Sequence, residues 1–163
     1  MTEERCAACG MQAKGGETGC QAIFEELLAR DFGNVLYFRS HRMLVDTYAL
    51  QHPERYCASA KSLAAHLTGL CWLLEHGGSR AVGGEALRRW LNGKPEIEKP
   101  ELPALRGELT IAGTIATRDP ESYGRAVEAW ARSTWQAYAP LHPLARRWID
   151  AAVAAERPKS SST

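Results

Sequence analysis

From Gln21 onward the apolar positions recur at helical spacing. Phe24, Leu27 and Leu28 stand three and four residues apart with Glu25 and Glu26 on the other side, which predicts a short helix stopping at Asp31-Phe32-Gly33-Asn34. A second helix is expected from about Val35 to Gln51, ended at His52-Pro53 because the residue before a proline is pushed out of helical geometry. His41, Val45, Tyr48 and His52 fall on one stripe of it, at offsets that a step of about 100° per residue brings into line. A third helix begins near Ser59 or Ala60 and runs to Glu75, where His76-Gly77-Gly78 offers a stop. Leu63, His66, Leu67, Leu70, Cys71 and Leu74 form its apolar face.

Beyond it a shorter helical segment covers Glu85 to Leu91 and ends at Asn92-Gly93. The stretch Lys94 to Pro103 holds three prolines and no period, so it reads as a surface loop. Leu109-Thr110-Ile111-Ala112 and Thr114-Ile115 lean towards extended structure by β-branching, with a helical turn the near alternative. Asp119-Pro120-Glu121 is a helix start, a capping carboxylate followed by proline, and the helix it opens reaches about Tyr138. A last helix runs from His142 or Pro143 to Glu156, and residues 157–163 form a polar tail expected to be disordered. The fold class is therefore mainly α: a single-domain bundle of five to six helices over residues 1–156, without internal repeats.

The first twenty residues break this pattern. They carry three of the five cysteines with Gly10, Gly15, Gly16 and Gly19, a composition that buries little apolar surface and reads as a cysteine-rich loop in need of an external staple. At 163 residues, with 45% hydrophobic and 24% charged positions, the rest supports an ordinary globular core. Twenty basic against 19 acidic residues leave a net charge of +1, which argues against nucleic acid or an anionic membrane as partner. The longest apolar runs fall far short of the ~20 residues a membrane span needs. Met1-Thr2-Glu3-Glu4-Arg5 lacks an apolar signal region, so a cytoplasmic protein with free thiols is expected.

Free cysteines point to metal, chemistry or packing. Cys6-Ala7-Ala8-Cys9-Gly10 places two thiolates one turn apart with a glycine where backbone amides turn towards sulfur, and Cys20 follows as a third ligand. Zinc is the expected ion, and a tetrahedral site needs one more donor, a histidine, carboxylate, water or fourth cysteine, with His52, His41 and Cys57 as the named candidates. With no strand expected before the motif and no βαβ unit after it, thiol exchange is the weaker reading. His41 and His52 lie ~16 Å apart on a straight helix, too far to share one ion. Cys71 belongs to an apolar face and reads as packing. His66 reads first as a hydrogen-bonded core histidine and His142 as a helix-entry residue. Converging with His41 and Asp46, they would instead make a second, acid–base or metal site.

Three blocks carry a resemblance: Cys6-x-x-Cys9-Gly10 with Cys20, then His41-x-x-x-Val45-Asp46-x-Tyr48-x-x-Gln51-His52-Pro53, then Trp130-Ala131-x-x-x-Trp135 leading to His142. Together they resemble an uncharacterised bacterial family, domain of unknown function 5946. The resemblance implies that the cysteines and His41, Asp46, Tyr48, Gln51 and His52 are motif positions together, favours a histidine over Cys57 as fourth ligand, and supplies no activity. Three functional expectations follow: a zinc-binding helical protein, a metal-dependent enzyme using His41, Asp46, His66 or His142 on a small molecule, and a zinc-stapled protein-interaction module. No partner or substrate is named by the sequence.

Overall fold

The structure, a computed structural model, describes residues 3–79 and 83–158. Most of the polar tail, from Lys159 on, lies outside the described residues. The chain opens with strands β1 (Glu3–Arg5) and β2 (Gln12–Lys14), paired antiparallel with Glu3 opposite Lys14 and Arg5 opposite Gln12. Helices follow: α1 (Glu17–Gly33), α2 (Val35–Phe38), α3 (His41–Gln51), α4 (Pro53–Tyr56), α5 (Ala60–Glu75) and α6 (Gly84–Asn92). Then come α7 (Ala112–Ile115), α8 (Pro120–Ala137), a 3-10 turn (Ala139–Leu141) and α9 (His142–Ala155).

The mainly-α expectation holds, with nine α-helices among the described residues rather than five or six. The surplus comes from breaks. The helix expected over Val35 to Gln51 is interrupted at Arg39-Ser40, so that α3 buries Leu44 and Asp46 to Gln51 while α2 keeps Val35, Leu36 and Phe38 exposed. Asn34 caps α2 by accepting the Leu36 amide. The first helix starts at Glu17, four residues before the expected Gln21, because Gly15 and Gly16 take left-handed backbone and turn the chain directly from β2 into α1. The segment after Leu109 is the short helix α7, in which the Thr114 hydroxyl turns back onto the Ile111 carbonyl at 2.6 Å. The bounds of α5, α8 and α9 fall within a residue of expectation; Ser59 and Asp119 cap the first two with their side chains.

Two apolar clusters make up the interior, and α3 and α8 run through both. Leu44 and Tyr48 of α3 join Tyr123, Val127 and Trp130 of α8 against Phe24 and Leu27 of α1. Ala49 and Leu50 join Ala131 and Trp135 against α5, α6 and α9. Each fully buried leucine or isoleucine contributes roughly 1.5–3 kcal/mol. Trp130, Trp135, Tyr138 and Trp148 are all core, as their helical spacing suggests.

Buried polar groups tie the elements together. The Gln51 amide donates to the carbonyls of Arg106 (3.0 Å) and Leu109 (2.8 Å) and accepts the Trp130 indole N–H (2.9 Å), pinning the end of the irregular segment onto α3 and α8. Asp46 accepts from Arg42 Nε (2.6 Å) and His66 Nδ1 (2.9 Å), joining α3 to α5. Gly69 makes this possible: a Cβ there would lie 2.2 Å from Asp46 Oδ2 and 2.6 Å from the Arg42 guanidinium.

On the surface, Arg146 of α9 grips Glu75 of α5 with two hydrogen bonds, at 2.8 and 2.7 Å, and holds its carboxyl below the usual carboxylate range. A carboxyl whose folded value is depressed stabilises above its unfolded value and loses that contribution as pH falls through the folded value. Acid titration of stability should therefore lose a fraction of a kcal/mol below about pH 4.5, and Glu75→Gln should remove that component from the pH–stability curve measured by urea unfolding.

Candidate metal centre

The N-terminal hairpin carries Cys6 and Cys9 between its two strands. Cys6 follows β1 and Cys9 sits in the turn, where the Gly10 amide donates to the Cys6 carbonyl at 2.8 Å and the Cys6 amide to the Met11 carbonyl at 2.8 Å. Gly10 takes φ +77°, a left-handed conformation that strains residues bearing a Cβ, so the glycine after the second cysteine is what closes the turn. The Ala8 and Cys9 amides point at the Cys6 sulfur and the Met11 amide at the Cys9 sulfur, so oriented N–H dipoles already favour negative charge on both.

Cys20 comes from the first turn of α1 and His52 from the C-cap of α3. Sγ of Cys6 and of Cys20 lie 3.6 and 3.4 Å from His52 Nε2, and Cys9 Sγ lies 3.7 Å from Cys20 Sγ. All four donor atoms fall within 4.8 Å of one another, close enough to hold a metal ion. Cys6, Cys20 and His52 are 1%, 0% and 4% exposed, while Cys9 is partly open to solvent.

The histidine is held in an orientation that suits a metal ligand. Its Nδ1 lies 2.8 Å from the Tyr48 carbonyl, which can only accept; Nδ1 therefore donates there, and Nε2 is the nitrogen left to face the sulfurs. Tyr48 stacks on the His52 ring at 3.9 Å and Phe24 stacks on Tyr48 at 3.8 Å, so α1 and α3 clamp the imidazole in place. The Tyr48 hydroxyl reaches Cys20 Sγ (3.7 Å) and Gln21 Oε1 (3.3 Å), and the Tyr56 hydroxyl donates to the same Gln21 oxygen (2.9 Å).

Without a cation, thiols packed this way resist ionising. Cys9 is pushed up to about 12, first by its hydrogen bond with Cys20 and then by burial, and Cys6 is raised by burial. Burial likewise raises the Tyr48 phenol, reinforced by Cys20. Three thiols and an imidazole in one buried pocket form a donor set whose chemistry suits a thiophilic cation.

The close approach of α1 to the hairpin depends on Gly19, where a Cβ would fall 2.2 Å from the Lys14 carbonyl oxygen and 3.0 Å from the Ala13 methyl. Both obstacles are rigid, so Gly19→Ala must push α1, and Cys20 with it, away from β2. The expected cost is about 1–3 kcal/mol, measured by urea unfolding, together with a weaker hold on metal in a chelator competition.

The other sequence candidates lie elsewhere. His41 donates from Nδ1 to the buried Asp31 (3.0 Å), which also takes the Tyr123 hydroxyl (2.7 Å); burial nevertheless keeps Asp31 above the usual carboxylate range. His66 holds Asp46, while His142 Nε2 donates to the Trp135 carbonyl (2.8 Å) with its ring stacked on that indole. Thus His66 and Asp46 meet, but His41, His66 and His142 are each committed to a different partner, and the four do not converge. Cys57 is buried with its thiol on the Ala49 carbonyl, apart from the cluster, and Cys71 packs in the core as expected. A second grouping, Cys71, Glu75 and His76, lies along one helix, with Glu75 and His76 exposed and Glu75 already held by Arg146.

Sequence reasoning missed the hairpin, the stacking role of Phe24 and Tyr48, and Asp31. The polar–apolar–polar order of Gln12-Ala13-Lys14 is the one signal of a strand there.

A model of a family described as of unknown function, DUF5946, matches residues 4–139, which takes in the whole cysteine and histidine cluster. No curated protein and no solved structure matches the chain.

Proposed function

We propose that this chain, which belongs to the DUF5946 family of unknown function, binds one zinc ion through Cys6, Cys9, Cys20 and His52 and uses it structurally, to staple the N-terminal hairpin onto the helical body. The observation that carries the reading is the spacing of the donors. A zinc ion with bonds of about 2.3 Å to sulfur and 2.0–2.1 Å to nitrogen sets tetrahedral edges of about 3.8 Å between sulfurs and about 3.6 Å between sulfur and nitrogen. The sulfur–sulfur contact here is 3.7 Å and the sulfur–nitrogen contacts are 3.6 and 3.4 Å.

Four protein ligands fill a tetrahedron and leave no position for water, which is the arrangement of structural rather than catalytic zinc. The motif's other polar residues support the same view, since His41 bonds Asp31, Asp46 bonds His66 and Gln51 bonds the Arg106 carbonyl, each a tie between elements. An enzyme working through His41, Asp46, His66 and His142 has less support, because those side chains are dispersed over separate ties.

Removing the ion with a strong chelator tests the role. Loss of zinc accompanied by a lower melting temperature and fast hydrogen exchange in residues 3–20 is expected. An unchanged melting curve with the ion demonstrably gone would refute a structural function.

An interaction module is the second reading, favoured by one feature: Phe32, Val35, Leu36 and Phe38 form an exposed apolar face around α2, with Phe32 and Val35 more than 70% open. Charge placed there, as in Val35→Glu, should abolish any specific partner binding while leaving the melting temperature within about 2 °C of wild type.

A further inference from the structure

We infer that Cys9 is a thiol modification site: peroxide oxidises it first, and Cys20 then closes a Cys9–Cys20 disulfide that releases the ion. The inference rests on the metal reading above and adds to it a reactive ligand and the chemical class of its reagent, a small two-electron oxidant.

Access singles out Cys9. Among the described residues the other two cysteine ligands and the histidine are at most 4% exposed, whereas Cys9 is partly open, on the hairpin turn between the exposed Ala7 and Gly10. A thiol held as thiolate by a cation is the nucleophilic form, so the one ligand that solvent reaches is the one an oxidant meets. Cys57 and Cys71 are fully buried and away from the cluster, so neither solvent nor the cation reaches them.

Geometry supplies the second partner. Cys20 Sγ is 3.7 Å from Cys9 Sγ, and a disulfide needs about 2.05 Å, so a closure of about 1.7 Å completes the bond. The Cys9 sulfur attacks one peroxide oxygen and breaks the O–O bond; the departing hydroxide takes a proton and leaves as water, with Cys9 as sulfenic acid. The Cys20 thiolate then attacks the Cys9 sulfur, the S–S bond forms, and the second hydroxide leaves with a second proton as water. Two thiolates, one hydrogen peroxide and two protons give one disulfide and two waters, so both electrons are accounted for. Cys6 and His52 remain, two donors where the ion needs four.

The test uses the full chain, loaded with zinc and verified for one ion per chain, then treated with one equivalent of hydrogen peroxide in the presence of a chromogenic zinc indicator. About one ion released per peroxide consumed, a Cys9–Cys20 disulfide in the peptide map, and Cys57 and Cys71 still alkylatable are the expected results. Dithiothreitol with added zinc should restore the starting state. A loaded chain that keeps its ion, or whose disulfide pairs Cys6 with either cysteine, overturns this inference alone. A chain that takes up no zinc before peroxide is added overturns the metal reading and this inference with it.

Discussion

Replacing His52 by alanine is expected to abolish stable metal binding and to lower the melting temperature by roughly 10–20 °C. The size follows from what the side chain joins. His52 is the one member of the proposed ligand set from outside the N-terminal 20 residues, so it alone would connect the hairpin and the start of α1 to α3 through an ion. Each strand of the hairpin has three residues, too few to hold a sheet in water by themselves. Loss of a metal site belongs to the small class of single changes costing on the order of 4–5 kcal/mol or more. For a chain of this length each kcal/mol moves the melting temperature by about 2–4 °C. Calorimetry with metal analysis on the same samples checks it. To separate the ion from the packing of the imidazole on Tyr48, the variant is compared with chelator-stripped wild type. The account requires the two to melt within a few degrees of each other, and a stripped wild type that melts like the loaded one would refute it.

Gln51→Leu should have the next largest effect, about 3–5 kcal/mol. Leucine nearly matches the side-chain volume but strands the Trp130 indole N–H and the carbonyls of Arg106 and Leu109, each a group that costs about 1–3 kcal/mol when left unpaired out of water. The penalty stays below the full sum because the carbonyls can turn towards solvent. Hydrogen exchange should quicken at residues 106–111 and the Trp130 indole N–H while the metal stays bound. Loss of zinc in this variant would mean that the two networks are coupled, contrary to the separate donors seen for each.

How much of this was legible in the chain varies with the physical signal. Helices α5, α8 and α9 were readable because their apolar spacing agrees with their caps, Ser59 and Asp119 above all. The break at Arg39-Ser40 was not, since the residues on either side have helical spacing and only packing decides that α2 leaves Val35 in solvent. The hairpin escaped because three-residue strands carry almost no period and are shaped here by glycine geometry. The three cysteines were evident from their spacing, whereas the choice among His41, His52 and Cys57 depended on which end of α3 meets the hairpin. That is a tertiary fact. His41 and His52 share a stripe in the sequence, but α3 delivers one to Asp31 and the other to the sulfurs. The polar residues of the middle motif suggested catalysis when read as a string; their partners show Asp46 and Gln51 satisfying the backbone and side chains around them.

Cys6, Cys9, Cys20 and His52 are proposed to hold one zinc ion. Elemental mass spectrometry tests it most directly, on protein purified without a metal-affinity tag, for the wild type and for Cys6→Ala. About one zinc per chain in the wild type, lost in the variant, is the predicted result. A folded wild type with no zinc, or a variant that keeps its full complement, would contradict the account.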